Sequence, residues 1–171
     1  IIFICSLFIF LTYFSGIKRH DVKEEKYLKL AQQKQFDCVG RIYKDTSASG
    51  SCVLISDRFI LSAAHVFIDS DTRPDTMEFN GQTIVAYVTY NHRETDKSKI
   101  YLVFKGQKVK VKKLILHPNY LDSLTKGSCD IALLELEQPL KNITPVKVNT
   151  TFDELYSSVV GVGFGASGNA D

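Results

Sequence analysis

Apolar residues fall into three regimes along this 171-residue chain. From Ile1 to Phe14 nearly every position is apolar, and the basic cluster Lys18-Arg19-His20 follows. That run is about as long as a signal-peptide core and short of the roughly 20 residues that span a bilayer as a helix. A signal peptide is therefore the first reading of residues 1–20, with Ser15-Gly16 as a poor cleavage site. An uncleaved membrane anchor over residues 1–17 is the second. Both put the rest of the chain outside the cytoplasm. From Asp21 to Gln35 the chain turns polar, with Val22, Tyr27, Leu30 and Ala31 at helix-like spacing. This is the pattern of a short amphipathic helix or a solvated linker.

From Phe36 the pattern changes to that of strands. Cys38-Val39-Gly40-Arg41-Ile42-Tyr43 is short and β-rich, and Asp45 to Gly50 has turn chemistry. Val53-Leu54-Ile55 and Phe59-Ile60-Leu61 flank Ser56-Asp57-Arg58, which predicts a hairpin. Ile84 to Tyr90 and Ile100 to Phe104 have high β-propensity. Lys105-Gly106-Gln107 turns into Val109 to Leu116, whose first part alternates apolar and basic residues, and Ile131 to Leu136 is the next apolar run. Many short strands separated by turn signals predict an all-β fold, an antiparallel barrel or sandwich.

Composition narrows the function classes. An apolar fraction of 44% and a charged fraction of 23% are those of an ordinary globular protein. The length suits one domain, or one domain and part of another. A net charge of +2, without aromatic–basic interleaving, argues against a nucleic-acid partner. The chain starts with Ile and stops after Ser167-Gly168-Asn169-Ala170-Asp171, so a fragment of a longer protein is expected. Cys5 lies in the leader, which leaves Cys38, Cys52 and Cys129. Three thiols allow at most one internal bridge, and the pair is open. Their spacing suits no metal site, and no cofactor is expected.

One stretch concentrates the chemistry. Phe59-Ile60-Leu61 leads through Ser62-Ala63-Ala64 to His65 and Val66. The small residues leave room for a neighbour, and the histidine stands at a strand end, where it can face a cleft. Alone, such a histidine is more often a satisfied core residue than a catalyst. Downstream, Asp130 heads the apolar run Ile131-Ala132-Leu133-Leu134, which should be buried. A carboxylate there is costly unless a donor hydrogen-bonds it, and an imidazole N–H is suitable.

Taken together, Gly50-Ser51-Cys52-Val53-Leu54-Ile55, Ser62-Ala63-Ala64-His65 and Cys129-Asp130-Ile131-Ala132-Leu133-Leu134 resemble, in order, three motifs of the chymotrypsin/trypsin-like serine peptidases. The resemblance runs from about Phe36 to the last residue. It selects the barrel and implies a serine endopeptidase acting on proteins or peptides, with His65 as general base and Asp130 as its orienter. The order His before Asp is that of the chymotrypsin type. Residues 36–148 would be the first barrel and residues 149–171 the start of a second, opened by Gly163-Phe164-Gly165 in place of Gly-Trp-Gly. The stretch from Asp69 to Lys99 is longer than the family's and reads as a hairpin excursion around an extra strand pair. His117-Pro118-Asn119-Tyr120 resembles a structural turn of the family. His20 and His92 read as solvated.

Several family features are missing. No Gly-Asp-Ser-Gly-Gly run occurs, so the nucleophile is expected beyond residue 171, and residues 1–171 alone should be inactive. The alternative is a non-catalytic homologue, a binding or regulatory module that has lost its serine. Val66 and Gly50 occupy the places of a disulfide of animal trypsins. No Ile-Val-Gly-Gly activation site is present, and cleavage at Arg41-Ile42 would cut the first barrel strand. Gly161-Val162-Gly163-Phe164-Gly165-Ala166 fits the dinucleotide fingerprint, but neither the helix nor the acidic residue that this requires follows. Asn142-Ile143-Thr144 and Asn149-Thr150-Thr151 are glycosylation sequons.

Overall fold

The computed structural model describes residues 17–18, 21–120, 129–151, 153, 155–165 and 168–169. The expected leader therefore lies almost wholly outside the described residues, as does His20. A helix, α1, covers Glu24–Ala31, and none of its residues is buried. The polar stretch is thus helical over these eight residues, none of which enters a core. Among the described residues no helix is long and apolar enough to cross a membrane.

The described residues hold ten strands, in chain order β1 Ile17–Lys18 (ahead of α1), β2 Val39–Lys44, β3 Ser47–Leu54, β4 Phe59–Ser62, β5 Ile68–Phe79, β6 Gln82–Glu94, β7 Ile100–Phe104, β8 Gln107–Leu116, β9 Ala132–Leu136 and β10 Gly168–Asn169. Six of them close an antiparallel barrel in the order β2-β3-β4-β9-β8-β7. The β5–β6 pair is a separate two-stranded ribbon, and β1 pairs with β10 in parallel.

Alternation explains the barrel. Ile42, Leu54, Ile60, Leu102, Phe104, Leu134 and Leu136 are fully buried at every second position of their strands, and together they form the core. Each such side chain contributes about 1.5–3 kcal/mol of hydrophobic stabilisation. Gly40 on β2 lets the Phe104 ring approach, since a Cβ there would stand 2.6 Å from it. Two-residue turns set the register. Lys105 and Gly106 join β7 to β8 with φ of 45° and 80°, both positive as a type I′ turn requires. Asn80 and Gly81 do the same at the tip of the ribbon.

Most of the expected strands are present, including the hairpin at Ser56-Asp57-Arg58, where Val53 pairs with Leu61. Two expectations are corrected. The turn after β2 takes only Asp45 and Thr46, because Ser47 already pairs with Lys44. Ile131 is 50% exposed rather than buried, because β9 enters the barrel wall only at Ala132. Ile42 is buried in mid-strand, so cleavage at Arg41-Ile42 would cut the barrel.

Candidate active site

His65 is carried by a one-turn 3₁₀ helix, Ala64–Phe67, that follows β4. The local sequence accounts for its position. Ser62 donates from Oγ to the Ser51 carbonyl at 2.9 Å, which ties the end of β4 to β3. Ala63 is extended, and the fully buried Ala64 and Phe67 anchor the helix on the core. The turn leaves its leading N–H groups unpaired within the helix, and these point at Asp130.

Asp130 reaches the same place from the other side of the chain. Cys129 adopts a left-handed φ of 65°, and the Ile131 N–H donates back to the Cys129 carbonyl at 2.7 Å. This tight turn lifts Asp130 off the β9 ladder. Its Oδ1 accepts from the His65 backbone N–H at 2.8 Å, and its Oδ2 lies 2.7 Å from His65 Nδ1. The Ala64 N–H also bonds the carboxylate. Desolvation, the largest influence on this carboxyl, works to raise its pKa, but the bonds and charge of His65 with the Ala64 N–H outweigh it and hold the carboxyl below the ordinary carboxylate range. With 65% of the His65 side chain and 37% of the Asp130 side chain accessible, the pair lies on the outer face of the barrel. Asp130 is thus itself accessible, while the run it heads enters the core from Ala132 onward.

Such a pair does defined chemistry. A carboxylate on Nδ1 fixes the imidazole with its proton there, leaving Nε2 as the base, and it stabilises the cation formed when Nε2 takes a proton. Tyr120, expected only as part of a turn, lies within electrostatic reach of this pair. It is buried, and its phenol is pushed up by burial first and by the Asp130 charge second. The signal was present, because Tyr120 ends the His117-Pro118-Asn119-Tyr120 run, where its N–H donates to the His117 carbonyl at 2.9 Å. His117 Nδ1 accepts from the Asn119 N–H at 3.3 Å, so it serves the turn. His92 bonds Ser70 on the ribbon, far along the chain from Asp130.

The neighbouring departures have visible consequences. A Cβ on Gly50 would stand 3.1 Å from Val66 Cγ2 and 3.2 Å from Cγ1, so the Val66 isopropyl group fills the space above the glycine. The Phe164 N–H donates to Ser51 Oγ at 2.7 Å, and Arg41 stacks 4.8 Å from the centre of the Phe164 ring. These contacts fasten Gly163-Phe164-Gly165 to β2 and β3. Cys38, Cys52 and Cys129 are free thiols, and burial pushes Cys52 up to about 12. A cavity of about 520 Å³ lies apart from His65 and Asp130, lined by Val39, Val53, Leu61, Val160 and the two buried cysteines among others. Among the described residues no group of three or more His, Cys, Asp or Glu could hold a metal ion.

Comparison with known proteins adds one match. The family model described as Trypsin matches residues 29–171, starting inside α1. No curated protein matches the chain.

Proposed function

We propose, proceeding from the fact that this chain belongs to the trypsin family, that it is the base-bearing part of a serine endopeptidase. In this reading His65 Nε2 takes the proton of a serine hydroxyl as it attacks a peptide carbonyl, then returns it to the leaving amine. Asp130 holds the ring in the tautomer that this requires and stabilises the imidazolium. The observation that carries the reading is the 2.7 Å contact between His65 Nδ1 and Asp130 Oδ2, made across 65 positions of sequence. The His65 N–H on Oδ1 supports it, since a carboxylate held by both atoms of one residue cannot rotate away.

The nucleophile in this reading comes from chain beyond the 171 residues, because no Gly-Asp-Ser-Gly-Gly run lies within them. The apolar residues 1–14 support an extracytoplasmic location, by export or by anchoring. Residues 36–148 form the first barrel in this scheme, and residues 149–171 begin the second.

The test uses the full-length protein and residues 1–171 side by side on a protein substrate. Turnover by the full-length protein, abolished by His65→Ala and absent from residues 1–171, is expected. Turnover that survives His65→Ala would overturn the reading. A full-length chain with Gly or Ala at the serine position and no turnover would establish the non-catalytic homologue instead.

A further inference from the structure

We propose that the β5–β6 ribbon is an exosite that binds an extended, apolar and basic segment of the protein substrate as an added strand. The inference rests on the peptidase reading above for the word substrate, while its binding claim stands on the ribbon itself.

The ribbon pairs over eleven positions from Ile68↔Glu94 to Phe79↔Gln82, about 37 Å at the antiparallel rise per residue. Among the described residues it packs substantially only on itself. Both of its faces carry accessible apolar side chains. One holds the Met77–Ile84 pair, and the other holds Val85 and Tyr87, which are 57% and 74% exposed. A soluble ribbon gains nothing in isolation from presenting these residues, because a lone two-stranded sheet is marginal in water.

The root of the ribbon is nevertheless built with care. Thr95, 2% exposed, donates from Oγ1 to Asp69 Oδ1 at 2.9 Å and from its N–H to the Phe67 carbonyl at 2.8 Å. Lys44 pairs with the same Asp69 oxygen at 2.8 Å and donates to the Ile68 carbonyl at 3.2 Å. Both legs are thus clamped beside Phe67, the last residue of the turn that carries His65. Ile68 begins β5 immediately after it. The root of the arm is therefore held in fixed relation to the histidine, with Ile68 following His65 by three positions.

Two features define the occupant. Among the described residues β6 pairs only with β5, so its other edge of backbone N–H and C=O groups is open over thirteen residues. An open strand edge selects an extended chain, which gains main-chain hydrogen bonds by adding to it. The charge selects a basic one. Between residues 68 and 94, the five carboxylates Asp69, Asp71, Asp75, Glu78 and Glu94 stand with the two arginines Arg73 and Arg93, and with Lys44 paired to Asp69 the ribbon keeps a net −2 on a chain of net +2. The face with Val85 and Tyr87 carries Thr72, Pro74, Thr76 and Glu78 from β5, with no cation among them.

The test measures binding without cleavage. The full-length protein with His65→Ala is titrated with reduced, alkylated lysozyme, an unfolded basic chain, and the anisotropy of a label on the lysozyme is followed. Val85→Ser with Tyr87→Ser, and separately the ribbon shortened by joining Thr72 to Thr89 through Asn-Gly, should each weaken Kd at least tenfold. In the active protein the same changes should lower the ratio of kcat/KM for a protein over that for a short peptide amide by a similar factor. An unchanged Kd in the Val85→Ser/Tyr87→Ser chain, which alters only exposed side chains, would overturn the proposal. So would a concentration-dependent dimer that these substitutions abolish, because the ribbon would then serve a second copy of the chain. Loss of lysozyme binding in a protein without turnover would uphold the exosite and sink the peptidase reading.

Discussion

The barrel and the β5–β6 ribbon are both antiparallel sheet with tight I′ turns, yet they differ in what holds them. In the barrel every second residue goes inward, and Ile42, Leu102 and Leu134 lose all contact with water. In the ribbon Ile84, Val85 and Tyr87 have the same β-propensity and remain exposed. Pairing and turn chemistry are common to both, so they do not distinguish a wall of the core from a projecting arm. Closure does, since a strand buries a face only where neighbours supply a second surface. The ribbon substitutes a polar clamp at its root, Lys44–Asp69–Thr95, for a core of its own.

The comparison can be broken or sharpened in order of effect. The largest change should come from the barrel side, at its rim. In the full-length protein Asp130→Asn should reduce kcat by roughly 10⁴-fold with the fold intact, the loss that a wrong histidine tautomer produces in this type of site. Steady-state kinetics with circular dichroism checks both halves of the statement, and a loss under tenfold would detach Asp130 from the chemistry. Next, Leu134→Ala should cost about 2–5 kcal/mol by leaving a cavity in the closed core. Ile84→Ala on the ribbon should stay within about 0.5 kcal/mol, as for other exposed sites. Urea unfolding of both variants would reveal a hidden partner for the ribbon within the chain if the two costs were alike.

A smaller effect tests how firmly the barrel positions the turn that carries His65. Gly50→Cys with Val66→Cys should close a disulfide, because the approach of Val66 to the position of a Gly50 Cβ is near the span such a bond needs. A loop of about 15 residues predicts about 3 kcal/mol at most, and less where native geometry strains. Non-reducing mass spectrometry and the shift in Tm check it.

The smallest effect is on acid stability. The Asp130 carboxyl titrates lower in the folded chain than in the unfolded one. Its contribution is therefore complete above the unfolded value near ~3.9 and disappears as pH falls through the lower folded value. The Tm difference between wild type and Asp130→Asn should shrink over that acid window. A difference that grows on acidification would contradict the assignment.

What the sequence determined by itself is local. Alternation at Ile42, Leu54, Leu102 and Leu134, and turn residues at Lys105-Gly106 and Asn80-Gly81, dictate strands and hairpins through interactions a few residues long. The three motifs identified His65 and Asp130 as residues of interest. Tertiary structure alone decided their relation, because only closure of β4 against β9 brings two residues 65 positions apart to 2.7 Å. It also decided what no pattern encodes: that Ile131 remains in water while Ala132 does not, that Tyr120 is buried within reach of the Asp130 charge, and that Val66 fills the gap over Gly50. The ribbon's isolation belongs with these. Its residues are as strand-forming as those of the core, and burial is a property of the surfaces that meet them rather than of the residues themselves.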